Sequence, residues 1–137
     1  MAAPPKLSSF LIYEKTLVEP ATRLVTLVGL YEHLVVPEEF PMPFQIESVN
    51  ILIKLTSLLG DYAFKLELSN LTTNQILGRV ETPKQTYRDK LEYYDLQFTI
   101  RGISLPQFGR YAFELSSNDK FVDLKMISLQ TAPKEVK

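Results

Sequence analysis

The chain has 137 residues, 45% of them hydrophobic and 23% charged, with a formal charge of −1 and a pI near 5.9. That length suits one domain with its own core, and a near-neutral balance supplies no strong field for nucleic-acid phosphates or anionic lipid, so neither a nucleic acid nor a membrane is an expected partner. With no cysteine, disulfides, thiolate metal sites and cysteine nucleophiles are excluded, and a reducing, cytoplasmic setting is expected.

Met1 to Lys6 holds two prolines and no apolar run behind it, so no signal peptide is expected. No stretch approaches the roughly 20 apolar residues of a membrane helix. Residues 1–7 and 131–137 are expected to be loose ends of a single domain spanning 1–137. Between them the punctuation sets off short alternating segments. Ser8 to Glu14 reads as a strand, and Pro20-Ala21-Thr22 as a turn. Arg23 to Tyr31 reads as a strand apolar on both faces, with Gly29 marking a bulge. Val36 to Phe44 carries three prolines and is expected to be a stiff, extended loop. Gln45 to Thr56 places Val49, Ile51, Ile53 and Leu55 on one face. Tyr62 to Ser69 alternates most cleanly, with Tyr62, Phe64, Leu66 and Leu68 inward. Asn70 to Asn74 is turn-like, and Gln75 to Glu81 is a strand. Thr82 to Lys90 is a charged connection with room for one helical turn. Tyr93 to Arg101 and Gly109 to Ser116 are strands. Ser117-Asn118-Asp119-Lys120 is a hairpin turn, and Phe121 to Gln130 is the last strand, with Val122, Leu124 and Met126 facing one way.

The stretch from Leu96 to Leu115 organises the rest. Two alternating segments flank Arg101-Gly102-Ile103-Ser104-Leu105-Pro106-Gln107, whose Gly and Pro are expected to turn the chain. Tyr111 follows that corner and Phe113 lies two residues further on. Immunoglobulin-like sandwiches place a tyrosine at the E–F corner two residues ahead of a core position in this way. Regularly spaced short strands without a helix of ordinary length complete the expectation: an all-β, Ig-like antiparallel β-sandwich of about seven to nine strands. The buried Trp and paired Cys of antibody domains are missing, so the likeness is one of architecture.

The segment Val25-Thr26-Leu27-Val28-Gly29-Leu30-Tyr31-Glu32-His33-Leu34-Val35-Val36-Pro37-Glu38-Glu39-Phe40-Pro41, with the late strand Phe108-Gly109-Arg110-Tyr111-Ala112-Phe113-Glu114-Leu115, resembles a family of small bacterial single-domain proteins of unknown function. The likeness runs from about Ser8 to Leu129. It implies an Ig-like sandwich and carries no activity, so no residue role transfers with it.

Candidate chemistry is sparse. His33 is the only histidine, and a metal site or a Ser-His-Asp set would have to be built on it; a surface imidazole is the expected role. Glu38 and Glu39 are adjacent and point apart on an extended chain. Asp89, Glu92 and Asp95, and Asp119 and Asp123, read as solvated faces. Asp61, Asp89 and Asp119 fall in separate turns rather than in an Asp-x-Asp calcium cluster. No nucleophile elbow or phosphate-cradling loop occurs. The expectation is therefore no enzyme, no cofactor, no metal and no catalytic residue.

Apolar and aromatic residues in the loops are the positive signal. Phe40, Met42 and Phe44 lie on a loop whose prolines limit the entropy lost on docking, and Tyr93 stands beside Tyr87 and Tyr94 near a charged loop. For Phe40 and Phe44 the favoured expectation is that they fold over the open end of the core, since lone apolar loop residues usually cap cores. These features point to a protein-interaction or scaffolding module within a larger assembly, its partner a second copy or a neighbouring gene product. A small-ligand or glycan-binding module using the end loops is the alternative.

Overall fold

A computed structural model describes residues 4–18, 20–22, 25–30 and 33–131. Among these there is no helix, and so none long and apolar enough to cross a membrane. The strands are β1 (Lys6–Val18), β2 (Val25–Leu30), β3 (His33–Val36), β4 (Phe44–Thr56), β5 (Gly60–Tyr62), β6 (Phe64–Asn70), β7 (Ile76–Glu81), β8 (Gln85–Tyr87), β9 (Tyr94–Leu105), β10 (Gly109–Ser117) and β11 (Lys120–Thr131). One sheet has the order β2-β1-β4-β9, a second β3-β11-β10-β6-β7, and β5 pairs with β8 alone. The two large sheets hold nine strands. They are antiparallel except that β3 runs parallel to β11, with His33 opposite Ser128 and Val36 opposite Thr131.

Both large sheets turn apolar residues into one buried cluster. Val49, Ile51, Ile53, Leu55, Leu96, Phe98 and Ile100 come from the first, and Phe64, Leu66, Leu68, Tyr111, Phe113, Leu115, Ile127 and Leu129 from the second. The alternation of Tyr62, Phe64, Leu66 and Leu68 holds, since all four are buried, because period-two side chains on a strand share a face. It spans two strands, however. The ladder breaks at Ala63, and the Asn118 side chain bridges the break: the Ala63 N–H donates to its Oδ1 at 2.9 Å and its Nδ2 donates to the Asp61 carbonyl at 3.0 Å.

Several expected boundaries are corrected. The first strand starts at Lys6 and runs to Val18, and its bulge lies between Leu7 and Ser9. No register shift occurs in the β1–β2 pairing around Gly29, where Tyr13 faces Leu30 and Lys15 faces Val28. The expected two-faced packing of that second strand, together with residues 1–3, 19, 23, 24, 31, 32 and 132–137, lies outside the described residues. The helical turn expected within Thr82 to Lys90 is a strand instead. Gln85–Tyr87 pairs with Gly60–Tyr62, where Thr86 Oγ1 donates to Asp61 Oδ1 at 2.5 Å.

The chain does not turn at Gly102. β9 continues to Leu105, with Arg101 opposite Ser48 and Ile103 opposite Ile46 in one register. Gly102 takes φ 67°, a region open to glycine without a Cβ penalty. Burial moves there from Leu96, Phe98 and Ile100 to Ile103 and Leu105. The turn is confined to Pro106–Phe108, and Tyr111 closes it. Its hydroxyl donates to the Gln107 carbonyl at 2.5 Å and accepts the Gln107 N–H at 3.2 Å, while its ring is fully buried. Burial pushes the phenol pKa up, opposed by the bond to the Gln107 backbone. At the next hairpin Asn118 and Asp119 take φ 50° and 65°, the two positive values of a type I′ turn.

Candidate functional site

The four residues singled out from the loops do not form one site. Phe44 pairs with Leu105 at one end of the β4–β9 ribbon, and Leu55 pairs with Tyr94 at the other. Eleven strand residues separate these ends, about 36 Å at ~3.3 Å per residue. At the first end Phe44 and Met42 are half-buried against the core. Phe40 remains 39% exposed and tilts over Phe44, with ring centroids 5.5 Å apart. At the second end Tyr93 is 58% exposed. Its neighbours turn inward: Tyr94 meets Tyr87 edge-on at 4.8 Å, and Tyr87 meets Tyr62 at 5.8 Å. Burial, and then the neighbouring Tyr94, push the Tyr87 phenol pKa up.

The polar candidates are engaged locally. His33 Nδ1 lies 2.8 Å from Ser128 Oγ across the parallel pair, and Gln130 Nε2 donates to the same oxygen at 2.9 Å. No spacing in the sequence signals this contact, because it joins residues 95 positions apart. Asp89 accepts the Leu91 N–H, Asp95 pairs with Lys54 at 3.5 Å, and Asp119 lies 4.0 Å from Lys65. Among the described residues no group of three His, Asp or Glu side chains gathers as a metal site. Asp61 and Asp119 do meet along an open cleft of about 760 Å³, which Lys65, Glu81, Lys84 and Asn118 also line.

The outer face of the second sheet is divided. Its β6–β7 half is charged: Glu67 accepts Arg79 at 3.1 Å and Lys65 at 3.3 Å. Burial alone would raise the Glu67 carboxyl, but the hydrogen bonds and charges of Arg79 and Lys65 outweigh it and hold the pKa below the ordinary value. The β11 half is apolar. Phe121, Leu124 and Met126 are 59%, 39% and 50% exposed, opposite Ser116, Glu114 and Ala112 of β10. Val35 of β3 is a further exposed apolar residue, opposite Gln130 on the same strand pair.

A bulge creates this row. Leu115 faces Asp123 while Ser116 faces Phe121, leaving Val122 over. The extra residue brings Phe121 onto the side of Leu124. The row also borders an edge. β3 covers β11 only over Ser128–Thr131, and among the described residues Lys120–Ile127 have no strand partner on that side. The expectation that Val122, Leu124 and Met126 face one way is corrected: the bulge turns Val122 against the core, and only Leu124 and Met126 share the outer face, whose exposure and uncovered edge the sequence reading did not identify. The signal available was the spacing of Phe121 to Leu124, three residues rather than two, which marks a bulge.

Comparison with known families matches residues 16–130 to a family of unknown function, DUF6941. No curated protein matches the chain.

Proposed function

We propose a non-catalytic protein-interaction module for this chain, which belongs to the DUF6941 family of unknown function. The observation that carries the reading is the row Phe121, Leu124 and Met126, exposed beside a strand edge without a partner among the described residues. A solvent-facing apolar row next to open backbone donors and acceptors suits strand addition, in which main-chain hydrogen bonds give affinity and side chains give specificity. The scaffold is an Ig-like sandwich. Support comes from the order β11-β10-β6-β7 against β1-β4-β9, from the parallel edge strand, and from the Tyr111 bond at the corner. The bacterial setting follows from the resemblance of Val25 to Pro41, and the cytoplasmic setting from the lack of cysteine.

A photo-crosslinking residue at Met126, with a control at the polar Thr99 on the first sheet, tests the reading in cells. Adducts at Met126 and none at Thr99 support it. No adduct at Met126, or equal yields at both, overturns it. A second reading, a small polar ligand such as a glycan bound by the end loops, is favoured by the cleft between Asp61, Lys84 and Asn118. Saturation-transfer NMR with a panel of glycans, repeated on Lys84→Ala, tests it; absence of transfer to every glycan rejects it.

A further inference from the structure

We infer that the partner docks through a carboxylate side chain, received by a row of donors, Arg110, Ser128 and His33, at one end of the exposed apolar row. The inference rests on the interaction reading above and names the chemistry of the partner. Arg110 of β10 stands opposite Ser128 of β11, and Ser128 stands opposite His33 of β3. Directly opposed residues share a face, so the three lie side by side across neighbouring strands. That face is the outer one. Tyr111, next to Arg110, is buried in the core, whereas Arg110 and His33 are exposed. Met126 is 50% exposed and precedes Ser128 by two residues on the same face, which sets the apolar row about 6–7 Å from the polar one.

The hydrogen bonding leaves this row short of acceptors. Ser128 Oγ, on a residue only 9% exposed, accepts the Gln130 Nε2–H at 2.9 Å and lies 2.8 Å from His33 Nδ1. If the hydroxyl donates to Nδ1, the imidazole keeps an unused Nε2–H. If Nδ1–H donates to the hydroxyl, the Ser128 O–H is unused instead. Either tautomer leaves the pair with a donor that has no acceptor. Arg110 adds a planar fork of donors and a permanent charge, and among the described residues it forms no ion pair. Its neighbours on that face, Leu71, Ala112, Met126 and Ser128, bring no carboxylate. Glu114 stands four residues along the strand, about 13 Å away. Lys125 opposes Phe113 on the core-facing side and is already engaged, so Arg110 supplies the charge of the row. A single charge carried on a fork matches a carboxylate better than a doubly charged phosphate. The ligand that satisfies these donors and also covers Met126 and Leu124 is a protein segment with Asp or Glu beside an apolar side chain, both on one face of an extended strand.

NMR on the isotope-labelled chain tests this with the probe acetyl-Leu-Thr-Glu-Val-amide, in which Leu and Glu share a face when extended. The comparison is the same peptide with Gln in place of Glu. The Glu peptide should shift the signals of His33, Arg110, Met126 and Ser128 with a dissociation constant of about 1 mM, and the Gln peptide should bind about tenfold more weakly. Arg110→Gln, at an exposed position outside the core, should remove that preference, and circular dichroism checks its fold. In cells, the yield of the Met126 crosslink should fall about tenfold in Arg110→Gln. No shift at these residues with the Glu peptide, equal binding of the two peptides, or a preference that survives Arg110→Gln overturns the inference. Tighter binding of a peptide with phosphoserine in the Glu position also overturns it. A Met126 adduct indifferent to Arg110→Gln overturns it while leaving the interaction reading standing, whereas absence of any Met126 adduct removes that reading and the inference with it.

Discussion

Replacing Tyr111 by Phe removes one oxygen from the core and nothing else. The ring is fully buried and keeps its place, so no cavity opens. The hydroxyl's bonds to the Gln107 carbonyl at 2.5 Å and from the Gln107 N–H at 3.2 Å are lost. Each such bond contributes on the order of 1 kcal/mol net. Gln107 is exposed, so its backbone groups regain water and part of the loss is recovered. The expected cost is about 1–2 kcal/mol, equivalent to a fall in melting temperature of about 3–6 °C at this chain length. Urea unfolding followed by far-ultraviolet circular dichroism measures it, and an unchanged m-value attributes the difference to the native state. Tyr93→Phe, at an exposed ring, is the control and should stay within about 0.5 kcal/mol of wild type. The Tyr111 phenol also acts in base. The Tyr111 pKa is raised by burial, so its contribution is complete below the unfolded value near 10 and is lost as pH rises through the folded value. Tyr111→Phe should therefore flatten the alkaline limb of stability. A Tyr111→Phe variant as stable as the Tyr93→Phe control refutes the assignment of Tyr111 as the group that closes the β9–β10 turn.

The Glu67 carboxyl is held below its ordinary pKa, so its contribution is present above the unfolded value and lost as pH falls through the folded one. Stability against urea should decline more steeply between about pH 5 and 3 in wild type than in Glu67→Gln, and parallel curves would remove the argument. Asn118→Gly keeps the positive φ of the hairpin and the backbone bond to the Ala63 carbonyl but deletes the side-chain bonds to the Ala63 N–H and the Asp61 carbonyl; a cost of about 1–2 kcal/mol is expected in chemical denaturation. Gly102→Ala meets no atom within 4 Å, so its cost is conformational, about 1 kcal/mol, and a stabilised variant would contradict the left-handed backbone there.

Much of the scaffold was legible because strand alternation is a local signal. Val49 to Leu55 and Tyr62 to Leu68 each place period-two apolar residues in the core. Tyr111 and the Asn118–Asp119 hairpin were legible because their roles depend on residues at most four positions away. The missed elements depend on distant partners. His33–Val36 is four residues long and precedes a proline, and only β11 makes it a strand. Gln85–Tyr87 is polar and becomes a strand because Gly60–Tyr62 lies beside it. The interaction row escaped for a related reason. Whether Leu124 and Met126 face core or water is settled by which side of β11 carries Ile127 and Leu129, both buried, and periodicity alone does not say which side that is. Tyr93 was legible as an exposed ring, whereas Phe40 was expected to fold with Phe44 over the end of the core; it lies against Phe44 but stays 39% exposed, and the separation of Phe40 from Tyr93 along the β4–β9 ribbon emerges only from its pairing.

The parallel contact between His33–Val36 and Ser128–Thr131 also imposes an order on biogenesis. A ribosome adding about 5–20 residues per second needs roughly 5–20 s to advance the 95 positions from His33 to Ser128. Throughout that interval the earlier segment exists without the neighbour that makes it part of a sheet. The polypeptide must stay unaggregated while its last strand is still being translated, and a transcript cut short before Lys120 would yield a body missing both a wall of its interior and the brace for its front edge.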